Sequence, residues 1–125
     1  MKMVIAVINI DKMNETKQAL SDIGYPSFTA YGRVFGRGKG SYDAKVMEGV
    51  REGKPEAISL LGPEPPLRPH RMIQIVCQAK NVENVIETII DANQVSEHAN
   101  GKIFVLPMTE AIRVRTLETG NAALD

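Results

Sequence analysis

Cysteine is almost absent from this chain of 125 residues, because Cys77 is the only one. A single cysteine forms no disulfide within the chain and cannot supply a zinc site built on several thiolates. Tryptophan is missing, and only three tyrosines and three phenylalanines are present. So few aromatic side chains disfavour a protein that binds nucleic acid by stacking bases. The lone cysteine fits a reducing compartment, and we expect a cytoplasmic protein.

An excess of either charge is also lacking, since 15 Lys and Arg residues balance 15 Asp and Glu residues. Sequence-independent DNA binding needs a basic excess, so we expect no nucleic-acid partner. Long apolar runs are missing as well. The N-terminal run, Met1-Lys2-Met3-Val4-Ile5-Ala6-Val7-Ile8, is too short for a signal peptide or a membrane span. We therefore expect no membrane insertion, and any anion site has to be local.

The apolar residues that are present, 43% of the chain, follow the periods of strands and helices. Runs of branched and aromatic residues predict strands over residues 3–8, 27–35, 70–77 and 102–106, with one more over 111–115. A first helix is predicted after a cap by Asp11 and ends at Gly24, and a second follows Asn81. Their apolar faces are predicted to be Met13, Thr16, Leu20 and Ile23 in the first, and Val82, Val85, Ile86, Ile89 and Ile90 in the second.

The order strand–helix–strand, repeated after a long gap, predicts an α+β fold of the ferredoxin-like, double-βαβ kind with an antiparallel sheet. We expect one domain over residues 1–125, with a C-terminal tail over 117–125. Two helices cover one sheet face and leave apolar strand residues uncovered on the other, which favours self-association. The alternative is a monomer whose second face is mostly polar.

The gap over residues 36–69 has no periodic apolar pattern and contains five of the seven prolines. Proline removes backbone donors and blocks regular pairing. Loops beyond about 12–15 residues are uncommon in compact domains and are usually functional or disordered. The segment is therefore either a long flexible functional loop or a plain linker.

Three cationic elements could bind an anion. Gly36-Arg37-Gly38-Lys39-Gly40 opens the long segment, and alternating glycines let backbone N–H groups converge on a phosphate. Asn100-Gly101-Lys102 precedes a predicted strand. Arg113 and Arg115 share one face of the strand predicted over residues 111–115, with Val114 packed inward. Each element alone has an ordinary alternative, namely a basic turn, a loop–strand junction or a solvated strand face, and the three together favour an anion site.

No catalytic arrangement accompanies these cations. His70 and His98 have no spacing that would bring them together, and Cys77 lies in an apolar strand, where a thiol is usually buried filler. Glu83, Glu87 and Asp91 are spaced as the wet face of a helix. We therefore expect no enzyme. A small phosphotransferase would need a general base or nucleophile that we do not find.

The segments Val34-Phe35-Gly36-Arg37-Gly38-Lys39-Gly40, Gly101-Lys102-Ile103-Phe104-Val105 and Arg113-Val114-Arg115-Thr116 resemble the signature segments of PII signal-transduction proteins. The resemblance runs through nearly the whole chain and fails in the long segment, which that family calls the T-loop. The chain looks most like the branch that regulates nitrogenase in nitrogen-fixation clusters, and like the second of its two paralogues. Gly24-Tyr25-Pro26-Ser27-Phe28-Thr29-Ala30, Pro69-His70-Arg71-Met72 and Phe104-Val105-Leu106-Pro107 support this branch, as does Thr116-Leu117-Glu118-Thr119-Gly120-Asn121.

The resemblance implies a trimer that binds ATP or ADP between subunits, with 2-oxoglutarate joined to ATP through Mg²⁺ and with dinitrogenase as the target of the T-loop. A homotrimer and a hetero-oligomer with a PII-like paralogue both fit. No protein side chain is expected to bind the metal. The implied nucleotide-binding residues are Thr29, Gly36, Arg37, Gly38, Lys39, Asn100, Gly101, Lys102, Arg113 and Arg115. The implied 2-oxoglutarate site comprises Arg37, Gly38, Lys39, Gly40 and His70.

Several residues depart from the family pattern. Gly38 stands where many PII proteins have a glutamine, His70 where they have a lysine, and Ala99-Asn100-Gly101 replaces Gly-Asp-Gly. The nucleotide site is therefore better supported than the 2-oxoglutarate site. Tyr42 is outside the family's uridylylation motif, so we expect no such modification. A general PII regulator of ammonium transport or glutamine synthetase is the alternative function.

Overall fold

The structure, a computed structural model, describes residues 1–36, 53, 67–94 and 101–124. The chain divides into two compact units, one made of Met1–Val34 with His70–Asp125 and the other of Phe35–Pro69. The core and most of the described site residues belong to the first unit. The long segment predicted over 36–69 lies almost entirely outside the described residues.

The described elements run in the order strand, helix, strand, strand, helix, strand. Their bounds are β1 Lys2–Ile8, α1 Met13–Asp22, β2 Thr29–Gly36, β3 Arg68–Cys77, α2 Val82–Asn93 and β4 Gly101–Pro107. The four strands form one sheet in the order β2-β3-β1-β4. β1 is central and pairs antiparallel with both β3 and β4. This is the predicted ferredoxin-like α+β fold, and the comparisons reported below bear it out.

The core lies between the helices and one face of the sheet. Alternate strand residues point to opposite faces, so the buried positions of β1 and β3 are every second residue. The helices supply residues from one stripe each, as their periodicity predicts. The buried core residues are Val4, Ala6, Ile8, Met13, Leu20, Ile73, Ile75, Cys77, Val85 and Ile89.

A buried threonine connects the two helices within this apolar core. Thr16 is fully buried, and its hydroxyl donates to the carbonyl of Lys12 at 2.7 Å. The Asn93 side-chain amide donates to the same hydroxyl at 3.0 Å and to the carbonyl of Ile89 at 2.8 Å. Burial of the hydroxyl is tolerated because it both donates and accepts a hydrogen bond.

The helix starts differ from their sequence-based prediction. Asp11 does not cap α1, because it lies inside a 3-10 turn, Ile10–Lys12, that leads into the helix. Asn81 does hold the N-cap position of α2, but its side chain makes no capping hydrogen bond. A side-chain cap needs an extended backbone at the N-cap. The 3-10 turn Ala79–Asn81 instead leaves Asn81 at φ −101°, ψ −6°.

The end of α1 agrees with its prediction and shows the cause. Gly24 takes φ +92°, a left-handed conformation that glycine adopts without strain. Its N–H donates to the carbonyl of Ser21 at 3.0 Å, and the N–H of Tyr25 donates to that of Leu20 at 2.9 Å. This pair of bonds is a Schellman motif, which satisfies the last carbonyls of the helix.

The sheet face away from the helices carries apolar side chains. Met3 and Ile5 of β1 point to this face because they alternate with the buried residues of the strand. In the neighbouring strand β4, Phe104 lies opposite Ile5 and Leu106 lies opposite Met3. Phe104 is 51% exposed in the single chain. Both described helices pack on the other face. Neither reaches the length and apolar character that a bilayer crossing requires.

Candidate functional site

Gly101 and Lys102, from the second of the three cationic elements, begin β4. Gly101 pairs with Ile8 of β1, and its backbone has φ +141°. A Cβ at this position would overlap the carbonyl oxygen of Val7. The close approach of β4 to β1 therefore requires glycine at this position.

A groove of 410 Å³ lies beside this strand start, a volume within the range of small-molecule pockets. Its walls come from β1, α2 and β4, with Gly101 and Lys102 among the lining residues. The apolar part of the lining is Val7, Ile8, Ile86, Ile90, Ile103 and Val105, and the polar part adds Asn93 and Gln94. An apolar groove with a cation at its rim suits a ligand that has both a flat apolar part and negative charge.

Arg113 and Arg115 are not in a strand, contrary to the sequence-based prediction. Residues 111–120 form a short hairpin, here called the arginine hairpin, which has a single isolated bridge between Ile112 and Thr119. The N–H of Arg113 donates to the carbonyl of Glu118 at 2.9 Å, and the N–H of Leu117 donates to that of Arg113 at 2.8 Å. Val114 is 92% exposed in the single chain and does not pack inward.

The turn is tight because Leu117 has φ +64°. Left-handed backbone is uncommon for residues other than glycine, and it reverses the chain before a fifth strand can extend. No feature of the sequence marks this conformation, because leucine rarely adopts it. The alternation of apolar and basic residues over 111–115 therefore predicted a strand where the structure has a turn.

The arginine hairpin brings acidic groups to its basic ones. The Glu118 carboxylate accepts a hydrogen bond from the Thr116 hydroxyl at 2.7 Å, and the same oxygen lies 3.8 Å from Nε of Arg113. The Arg113 side chain is 31% exposed, so it is partly ordered, whereas Arg115 is exposed. No pattern in the sequence marks Glu118 and Thr116 as site residues, nor Glu110, which lies at the base of the hairpin.

The two cationic elements start from opposite ends of the sheet. Lys102 lies opposite Val7, near the end of β1, whereas β4 ends at Pro107, opposite Lys2. Seven residues make β4 about 20 Å long. The arginine hairpin follows from that second end, where Asn121 and Leu124 line a small cavity with Cys77 and Ser27. One chain therefore does not bring Lys102 and the two arginines to one point.

The other predicted site residues are distributed over both ends and beyond the described part. Thr29 begins β2, two residues after Ser27, and is exposed. Gly36 ends β2, and His70 is half-buried in β3. Next to His70, Nε of Arg71 donates to the carbonyl of Tyr31 at 2.8 Å. The predicted residues Arg37, Gly38, Lys39, Gly40 and Asn100, together with Tyr42, lie outside the described residues.

Groups suited to catalysis do not come together in the described part of the chain. Cys77 is buried in the core, and burial raises the pKa of its thiol, which keeps it neutral and unreactive. Among the residues that the structure describes, no three His, Cys, Asp or Glu side chains cluster as a metal site would require. What the described site can offer an anion is its cations, Lys102, Arg113 and Arg115.

Comparison with protein families gives a match over residues 1–118 to the model described as nitrogen regulatory protein P-II. One relative is nitrogen fixation nifHD region GlnB-like protein 2 of Methanothermobacter marburgensis, 38% identical over 99% of this chain and 100% of that protein. Another is nitrogen fixation nifHD1 region GlnB-like protein 2 of Methanosarcina barkeri, 39% identical over 99% of both chains. Nitrogen regulatory protein GlnK2 of Haloferax mediterranei is 35% identical over 98% of this chain and 90% of that protein.

A similar solved structure is that of Arabidopsis thaliana PII bound to citrate, with a TM-score of 0.70 and 29% identity. The similarity covers 98% of this chain and 90% of the plant chain. The fold, the family and the second-paralogue branch expected from the sequence are thereby confirmed.

Proposed function

The chain belongs to the P-II family of nitrogen regulatory proteins, and on that premise we propose that it binds ATP or ADP and 2-oxoglutarate between subunits and controls nitrogenase by direct contact. Members of this family are regulatory signal proteins rather than enzymes, and this chain is one of them. We assign the contact with the target to residues 36–69. We expect the protein to act in the cytoplasm.

The observation that carries the nucleotide proposal is the separation of the cationic elements along the sheet. Lys102 lies five residues before Pro107, the end of β4 from which the chain continues to the arginine hairpin, so about 17 Å of strand separates their backbones. A second copy that places its hairpin beside the first copy's Lys102 would bring both elements to one nucleotide. We therefore assign the nucleotide to a cleft between subunits, with Lys102 from one subunit and Arg113 and Arg115 from the next.

The rest of the site is proposed on the family resemblance. For the nucleotide it comprises Thr29, Gly36, Arg37, Gly38, Lys39, Asn100 and Gly101, and for 2-oxoglutarate it comprises Arg37, Gly38, Lys39, Gly40 and His70. Mg²⁺ would join 2-oxoglutarate to the phosphates and neutralise part of their charge. The citrate bound to the plant relative supports a small carboxylate as an effector here as well.

Dinitrogenase is the proposed target because several relatives carry names from nitrogen-fixation regions. Those names number the relatives as protein 2, which supports a paralogue as a partner in the assembly. A general P-II regulator of ammonium transport or glutamine synthetase is the second candidate, supported by the relative named GlnK2. Affinity capture from nitrogen-fixing cells separates the two, because each predicts a different bound protein.

We expect the purified chain to form trimers, which are typical of the family, or mixed trimers with a paralogue. The physical reason is the apolar sheet face with Phe104 and Leu106, which the described helices leave uncovered. Sedimentation equilibrium at micromolar concentration measures the assembly. A stable, well-folded monomer, both alone and with the paralogue added, would contradict the proposal.

Deleting residues 43–65 is expected to abolish inhibition of nitrogenase while the fold and the assembly remain. The deleted segment has no periodic apolar pattern, and the core of the described residues is built from β1, β3 and the two helices. Nitrogenase activity is titrated with the wild-type and shortened proteins, with the paralogue added if inhibition requires it. ATP with 2-oxoglutarate should relieve inhibition by the wild type, because a ligand shifts a conformational equilibrium only by binding one state better. Full inhibition by the shortened protein would move the target surface elsewhere.

A further inference from the structure

The base of the arginine hairpin is closed by one carboxylate. Oε1 of Glu110 accepts hydrogen bonds from the N–H groups of Ala111 and Gly120, both at 3.0 Å. The N–H of Gly120 also donates to the carbonyl of Ala111 at 2.9 Å. Glu110 therefore joins the first residue of the hairpin to the last.

Above its base, the hairpin is held by the bridge of Ile112 with Thr119 and by two backbone bonds that involve Arg113. Near the turn, the Glu118 carboxylate accepts the bond from the Thr116 hydroxyl and lies beside Arg113. Ile112, Val114 and Leu117 are all more than half exposed in the single chain, so they add little packing within it. Polar interactions rather than packing therefore hold this hairpin, and those of Glu110 lie at its base.

We propose that Glu110 is a positioning residue for the nucleotide: it holds the arginine hairpin in the conformation in which Arg113 and Arg115 meet the phosphates. This inference rests on the nucleotide function proposed above. Glu110 acts through the backbone of Ala111 and Gly120, and the nucleotide gains affinity because the hairpin is ordered before binding.

The reach of the Glu110 side chain, and not its charge, is the property that matters. A carboxylate three residues from Arg113 repels a phosphate, so its charge opposes binding at this position. A glutamine keeps an oxygen at the same distance along the side chain and can accept the same two hydrogen bonds. An aspartate keeps the charge but is one methylene shorter, so its oxygen falls short of the Gly120 N–H.

The test is calorimetric titration of ATP into the full-length assembly of each variant. We expect Glu110→Asp and Glu110→Ala each to bind ATP about five-fold to ten-fold more weakly, the net scale of a typical intramolecular hydrogen bond. Glu110→Gln should bind at least as tightly as the wild type. Glu87→Gln, on an exposed position of α2, removes the same charge away from the hairpin and should leave affinity unchanged.

A second measurement separates positioning from a general loss of structure. In a background that already carries Arg113→Ala and Arg115→Ala, Glu110→Ala should have no further effect on ATP affinity, because its effect passes through those two side chains. Circular dichroism and sedimentation should show every variant folded and assembled as the wild type is.

The outcomes that overturn the inference differ from those that overturn the nucleotide site. If Glu110→Asp binds like the wild type, or Glu110→Gln binds as weakly as Glu110→Ala, the proposed role of side-chain reach is wrong. If the Arg113→Ala and Arg115→Ala variants bind ATP like the wild type, the nucleotide site itself is wrong, whatever Glu110 does.

Discussion

Replacing Arg113 and Arg115 together by alanine is expected to weaken ATP binding about a hundred-fold, with the fold and assembly intact. Each single substitution removes a hydrogen-bonding cation from the phosphates, at a cost on the order of 1.5–3 kcal/mol. Because both side chains act on one polyphosphate, the cost in the double variant should be smaller than the sum of the two. Calorimetric titration of ATP measures all three affinities.

Arg113→Ala should be the more damaging of the two single substitutions. Its side chain is partly ordered beside Glu118, so it loses less freedom on binding than the exposed Arg115 does. Its removal also leaves the Glu118 carboxylate without that neighbouring cation and close to the phosphates. Lys17→Ala on α1 removes a cation that belongs to neither element and serves as the control. Wild-type affinity in both single variants would show that ATP does not bind at the hairpin.

The core was predictable from the sequence because burial imposes a period on it. Val85 and Ile89 are buried with Val82 and Ile86 packed beside them, as spacings of three and four residues require of one helical face. The strands follow for the same reason, since Val4, Ala6 and Ile8 alternate with residues of the opposite sheet face. The doubled strand–helix–strand unit then predicts the ferredoxin-like fold, whose sheet is antiparallel.

The helix caps were less predictable because they depend on the backbone conformation of residues just before or after the periodic apolar pattern. Asp11 and Asn81 are good capping residues by type, but each lies within a 3-10 turn that removes the capping geometry. Gly24 was predictable, since few residues other than glycine accept its φ of +92°.

The site was predictable in its residue types and not in its arrangement. Lys102, Arg113 and Arg115 are the expected cations, yet the strand predicted for the arginines is a hairpin closed by Glu110. A left-handed leucine and a carboxylate bound to backbone N–H groups leave no periodic signal in a sequence. The separation of the cations along β4 depends on strand register, which only the folded chain defines.

Gly101→Ala is expected to destabilise the protein by about 3 kcal/mol or more, because two penalties coincide at this position. The backbone at φ +141° lies in a region nearly restricted to glycine. The new Cβ would also overlap the carbonyl oxygen of Val7, which is backbone and cannot rotate away. The first pair of β4 with β1 must then separate. Thermal unfolding at fixed protein concentration should show a midpoint lower by about 10 °C.

Substitutions at two other glycines test the backbone strain and the steric overlap separately. Gly24 has φ +92° but open space around its Cβ position, so Gly24→Ala carries the strain alone and should cost about 1 kcal/mol. Gly32 has open space and no positive φ, so Gly32→Ala should change stability by less than about 0.5 kcal/mol. If Gly101→Ala costs no more than Gly24→Ala, β4 can shift without loss and its close contact with Val7 is not required. If the larger cost is found, Gly101 is needed for folding even without nucleotide, and a loss of ATP binding in Gly101 variants would not by itself identify a phosphate contact.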